Sequence, residues 1–290
     1  MTFYELALAP FADYSFMRRA LVGCIALSAG SAPVGVFLVL RRMSLTGDAM
    51  AHAILPGAAL GFLIAGLELI PMTIGGVAAG LIVVLLTGLV ARSTTLREDA
   101  SLASFYLISL ALGVLLVSMR GSSIDLMHVL FGTVLALDNA ALIFIAMASC
   151  MTLLTLAVIL RPLALECADA GFLKGMSPAG GIAHIAFLCL MVINLVAGFQ
   201  ALGTLLSVGI MMLPAISARF WSHSLAGLAL AAFLIAAFSS LFGLLASYHL
   251  SLPSGPAIIL TAGGFYVLSV IFGPIGGIAM RFIPRRHRVA

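Results

Sequence analysis

Nine stretches of this chain, roughly 20–40, 43–66, 70–91, 101–119, 128–160, 179–198, 201–221, 225–248 and 255–280, are apolar and almost free of charge. Crossing the hydrocarbon core of a bilayer takes roughly 20 residues of helix. In lipid every backbone N–H and C=O must be satisfied by the protein itself, so only helices and closed barrels span it. These runs are continuous rather than ten-residue alternating segments, which selects helices. The expectation is an all-α, polytopic transmembrane helix bundle of about nine spans, with eight as the alternative, forming one domain over residues 1–290. Composition agrees: 63% of the residues are hydrophobic and 8% charged, against about 45–50% and about 25% in soluble domains.

Local signals refine the spans. Gly132 and the Asp138-Asn139 pair break the fifth run into a short piece and a true span. Pro214 predicts a kink in the seventh. Residues 1–16 carry Glu5, Pro10 and Asp13, which suits a short interfacial helix and not a cleavable signal. The basic residues sit at segment ends, and Lys174 is the only lysine, a pattern of membrane orientation and not of nucleic-acid binding. With the C-terminus in the cytoplasm, that side receives Arg41, Arg42, Arg92, Arg97, Arg161, Lys174, Arg219, Arg281, Arg285, Arg286 and Arg288. The other side receives Arg18, Arg19 and Arg120, a bias of eleven to three. Arg18-Arg19 is the pair that fits this orientation least well.

Several chemistries are disfavoured. The chain has no Walker A motif, so it does not hydrolyse ATP by the P-loop route, and it has neither HExxH nor G-x-S-x-G. A transporter or membrane subunit fits better than an enzyme. The four cysteines are scattered without a CxxC, which predicts neither a disulfide framework nor a thiolate metal site. The fourteen methionines show no MxxM pairing and read as core packing.

One pair stands out. Asp48 is the only acid well inside an unbroken apolar run, and a carboxylate there costs about 2.5–3.5 kcal/mol. His52 follows four residues later, so a helix stacks the two on one face. Carboxylate oxygen plus imidazole nitrogen is half of a divalent transition-metal site. A homodimer with its pore on the two-fold axis would bring two copies of each together and supply four ligands. The competing reading is a polar packing pair. His128 and His249, at outer ends of spans, are weaker candidates along an entry path, and His184 and His223 read as packing or interfacial residues. The polar connection 161–178 reads either as a surface loop or as a short helix along the membrane face that docks a partner.

Read together, Ala32-Pro-Val-Gly35, Arg41-Arg42 and Gly47-Asp-Ala-Met-Ala-His-Ala-Ile-Leu-Pro-Gly57 closely resemble the signature region of the membrane permeases of zinc/manganese ABC importers. Leu202-Gly-Thr-Leu-Leu-Ser-Val-Gly-Ile-Met-Met-Leu-Pro214, Leu252-Pro-Ser-Gly-Pro-Ala-Ile-Ile-Leu260 and Phe272-Gly-Pro-Ile-Gly276 support the same resemblance, which spans about 17–277. It implies a homodimer in the bacterial inner membrane, with two copies of a separate cytoplasmic ATP-binding subunit and a periplasmic or lipoprotein metal-binding protein. It places Asp48 and His52 at the cation-coordinating positions. It also matches 161–178 to the ATPase-docking segment, with Glu166, Asp169, Ala170 and Gly171 at its core, although Asp169-Ala170-Gly171 is compressed relative to the family pattern. No cofactor is permanently bound, and Zn2+ or Mn2+ is the transported substrate. Imidazole with carboxylate favours zinc, with manganese or iron(II) as alternatives. A gradient-driven secondary carrier and a non-transporting membrane subunit are the readings from other classes, and a vitamin B12 or iron-siderophore permease is the nearest mechanistic relative.

Overall fold

A computed structural model describes residues 8–66, 68–96, 98–118, 134–168 and 179–281. Among them the regular structure is helical throughout: α1 Ala9–Asp13, α2 Ser15–Leu40, α3 Ser44–Ala53, α4 Leu55–Ala65, α5 Leu69–Ser93, α6 Glu98–Ser118, α7 Asn139–Ala168, α8 Ala179–Leu202, α9 Thr204–Ala218, α10 Leu225–Leu250 and α11 Ser254–Phe272. Single 3-10 turns lie at Val134–Ala136 and Ala279–Arg281. Counting α3 with α4 as one bent span, eight helices are long and apolar enough to cross a membrane, and α9 is a shorter apolar helix. The bundle thus meets the expectation of eight or nine spans.

The predicted breaks fall where local chemistry places them. The fifth span begins at Asn139, and Asp138 Oδ1 accepts from the Ala141 N–H at 2.8 Å, satisfying a donor that the first helical turn leaves open. The same helix runs on through Pro162 to Ala168, so the first eight residues of the predicted 161–178 connection are helical. Residues 169–178 lie outside the described set. The last span stops at Phe272 rather than near 280, because Gly273 precedes Pro274 and takes an extended ψ of 131°. The chain there turns back on the α9–α10 corner: Ile275 N–H donates to Phe220 O at 3.0 Å, and Trp221 Nε1 donates to Ser269 Oγ at 2.9 Å. Arg18, awkward for the charge bias, is spent locally. Its Nη1 donates to Ala12 O at 2.8 Å and so caps a carbonyl of α1.

Two helices form the centre. α2 packs on α3, α7, α8, α9 and α10, and α2 and α8 are mostly buried, whereas α5, α6, α7 and α11 mostly face outward. Without a hydrophobic driving force between helices in lipid, close packing and polar contacts hold such a bundle. Two glycines show the closeness. A Cβ on Gly35 of α2 would collide with the Met211 carbonyl of α9, and one on Gly57 of α4 with the Gly75 carbonyl of α5. Deep in the bundle Asn194 Nδ2 donates to Thr152 Oγ1 at 2.6 Å and to Leu190 O at 2.8 Å, tying α8 to α7.

Candidate metal-transfer site

The site is set by the joint between α2 and α3. Arg42 takes a left-handed conformation, φ 61°, which costs a non-glycine residue about 1–2 kcal/mol. Met43 N–H donates to Leu38 O at 2.9 Å and Arg42 N–H to Val39 O at 3.1 Å. These two bonds make a Schellman cap, which ends α2 and fixes the direction of α3. α3 then presents two faces. Thr46, Gly47, Met50, Ala51 and Ala53 are buried, with Gly47 set against Met211 and Met212 of α9. Leu45, Asp48 and His52 fall on the opposite face at i, i+3 and i+7.

α3 bends into α4 at Ile54, because Pro56 has no N–H to continue the ladder. The bend loosens nearby carbonyls, and Ser109 Oγ of α6 donates to Ala53 O at 2.8 Å. His52 therefore sits two residues before a fixed corner. Counted from Ser44, Asp48 and His52 lie about 6 and 12 Å along the helix axis, at about 1.5 Å per residue.

Asp48 Oδ1 and His52 Nε2 are 3.9 Å apart, with the two side chains 69% and 32% exposed on this chain. That gap is too long for a hydrogen bond. Donor atoms bound to one ion at about 2.1 Å sit roughly 3 to 3.5 Å from each other, so a small rotamer change closes them on a shared cation. His52 Nδ1 faces inward, buried and without a hydrogen-bond partner. Its Nε2 is the atom turned toward the carboxylate. Among the described residues, no three His, Cys, Asp or Glu side chains gather into a metal site. Among the described residues, Asp48 and His52 could supply two of the four ligands that a tetrahedral ion needs.

The other candidates fall elsewhere. His128 lies outside the described residues, as do Asp169, Ala170 and Gly171. His249 ends α10 at the opposite end of the bundle from Arg41, in edge contact with Tyr248 at 5.2 Å between ring centroids. It is not part of the Asp48–His52 site. His223 is exposed in the α9–α10 turn.

Glu166 and His184 meet at a place that sequence reasoning had not joined. The Arg41 guanidinium, at the end of α2, is ion-paired with Glu166 of α7. Arg41 Nη1 is 3.0 Å from His184 Nδ1 of α8, and its Cζ lies 5.1 Å over the Phe187 ring. His184 Nδ1 is in turn 3.5 Å from Glu166 Oε1. The side chains of Arg41, Glu166 and His184 are only 7%, 14% and 19% exposed. In the sequence Arg41 bears on membrane orientation and on the signature resemblance, and His184 reads as a packing or interfacial residue. The one available signal was the scarcity of acids: ten in 290 residues, with Glu166 in the apolar stretch that follows Arg161.

The sequence profile of the ABC 3 transport family matches residues 13–273. The manganese import system permease protein ScaB of Streptococcus parasanguinis is 32% identical over 262 residues, covering 90% of this chain and 92% of that protein. The chelated iron transport system membrane protein YfeD of Yersinia pestis is 30% identical, over 94% of this chain and 90% of its own length. Among solved structures, PsaBC from Streptococcus pneumoniae, in complex with Fab, superposes with a TM-score of 0.80 at 29% identity, covering 93% of this chain and 97% of that one.

Proposed function

The chain belongs to the ABC 3 transport family, as a membrane permease subunit of a metal ABC importer and not its ATPase, and on that premise we propose that it passes a bare divalent cation between two copies of itself. The observation that carries this reading is the open Asp48–His52 face. An apolar helix exposes a carboxylate where lipid would make it costly, so something must cover it. A second copy, related by a two-fold axis, covers each Asp48 with its symmetry mate's site and completes a set of two carboxylates and two imidazoles. The arginine-rich end, with Arg41, Arg42, Arg161 and Arg219, faces the cytoplasm. The partner ATPase docks there on the segment containing Asp169, Ala170 and Gly171. A metal-binding protein delivers the ion at the opposite end, where His249 lies.

Manganese is the foremost cargo, ahead of the zinc that imidazole and carboxylate alone suggested. Two relatives of similar length are named for manganese import and transport, and one for chelated iron. A set with two carboxylates and room for water suits manganese, whose oxygen preference is stronger than zinc's. The cation sheds water on entering, is held by the four side chains, and is released when ATP-driven movement reorients the helices. A ligand-dependent shift of this kind requires the ATPase states to differ in their binding to the docking segment.

The test is uptake of radiolabelled manganese, zinc or iron(II) into vesicles holding this chain with its ATPase. ATP-dependent manganese uptake that Asp48→Ala and His52→Ala each abolish supports the reading. Uptake driven by a pH gradient without ATP, or unchanged in both variants, overturns it. Zinc uptake without manganese uptake overturns the cargo alone.

A further inference from the structure

We propose that the Arg41–Glu166–His184 cluster is the link that carries movement of the docking segment to the metal-bearing helix, so that Glu166 acts inside this chain and not on the partner's surface. The inference rests on the functional reading above and adds a transmission route to it. Three observations carry it. Glu166 lies in the last turn of α7, just before the proposed docking residues, and its carboxylate is turned inward onto Arg41 and is largely shielded. Arg41 is the last residue before the left-handed joint at Arg42, and α3 starts three residues after Arg41. His184 and Phe187 hold the guanidinium from the α8 side, so the α7 end, the α2–α3 joint and the central helix α8 meet at one group.

The route is short and stiff. A displacement of the α7 end pulls on Glu166, and an ion pair shielded from water transmits that pull to Arg41. The joint that follows has two backbone hydrogen bonds, Met43 N–H to Leu38 O and Arg42 N–H to Val39 O, and little freedom to absorb it. α3 therefore swings as a unit and carries Asp48 and His52 with it. Stability alone does not account for the cluster, because a well-packed apolar pair commonly does as well in a buried place. What charge adds is a directional, shielded attachment between the α7 end and the α2–α3 joint. Arg41, Glu166 and His184 are on this account positioning residues, since none of them touches the cation.

The experiment uses the full importer reconstituted with its ATPase. A spin label is placed at Leu45→Cys, on the exposed face of α3 where the native side chain is 82% exposed, with Cys24, Cys150, Cys167 and Cys189 changed to alanine. Adding ATP with vanadate should shift the label's distance to its symmetry mate. In Arg41→Met/Glu166→Leu, which removes both charges and keeps the packing, that shift should vanish. ATPase binding should be unchanged, and metal moved per ATP hydrolysed should fall at least tenfold. The swapped pair Arg41→Glu/Glu166→Arg should recover the shift, and it stands in if the apolar pair fails to assemble. An undiminished label shift in the apolar pair overturns the inference, as does loss of ATPase binding in Glu166→Gln but not in Arg41→Gln. The label reports α3 whether or not metal flows. Wild-type vesicles that take up no metal while the shift still depends on the pair would defeat the functional reading and leave the link standing.

Discussion

Two charged groups flank the same corner of the chain and have opposite surroundings. Arg41, Glu166 and His184 close on one another beneath three helices. Seven residues on from Arg41, Asp48 and His52 face out of the bundle with their donor atoms not yet in contact. The closed group is paired within the chain. The open one has no third metal-ligating side chain gathered beside it among the described residues. In an apolar medium a charge is tolerated only when it is covered. On the reading proposed above, the uncovered pair is where a cation and a second subunit would sit, and the covered group is the internal joint.

Single and paired substitutions separate the two cases. The largest stability effect is expected at the closed group: Arg41→Ala or Glu166→Ala leaves one buried charge unpaired and should cost about 3–5 kcal/mol, read as a lowered unfolding midpoint in detergent. Cation binding should act only through the open group. Manganese at a hundred times its Kd should stabilise the wild type by about 2.7 kcal/mol, and Asp48→Ala should remove that gain while Arg41→Met/Glu166→Leu keeps it. The apolar pair itself should change stability by no more than about 1.5 kcal/mol. A cost like that of the single variants would show that its charges carry the fold. The smallest effect should be at the open site without metal, where His52→Ala shifts stability by within about 0.5 kcal/mol although import is lost. A large destabilisation there would identify the pair as a packing contact and erase the contrast.

Much of the bundle was legible because lipid makes the rules local. A span must be long and apolar, so composition along the chain locates helices directly, and the start at Asn139 was visible in the break at Asp138-Asn139. The reading was weakest where local signals compete. The polar run 161–178 suggested a connection, yet α7 passes through Pro162 to Ala168. The ninth run looked continuous to 280, yet Gly273-Pro274 ended it early. Apolar character also says little about position. α5 and α7 are as apolar as any helix here and face mostly outward, whereas the less apolar α2 is central. In a membrane the perimeter must be apolar, and the polar and small side chains of α2 are what the interior accommodates.

The candidate site divides in the same way. Asp48 and His52 could be picked out from the sequence because their spacing is a property of one helix, and four residues is one turn. That the pair faces outward, opposite Gly47 and Met50, follows only from how α3 seats against α9. The Arg41–Glu166–His184 meeting joins residues as much as 143 apart on three helices, and no local period encodes it. Sequence alone settled that this chain is a multi-helix membrane bundle with one anomalous acid, since burial in lipid penalises each residue by itself. Tertiary structure decided which charges are covered and which are left open, since coverage depends on neighbours that the chain brings together only by folding.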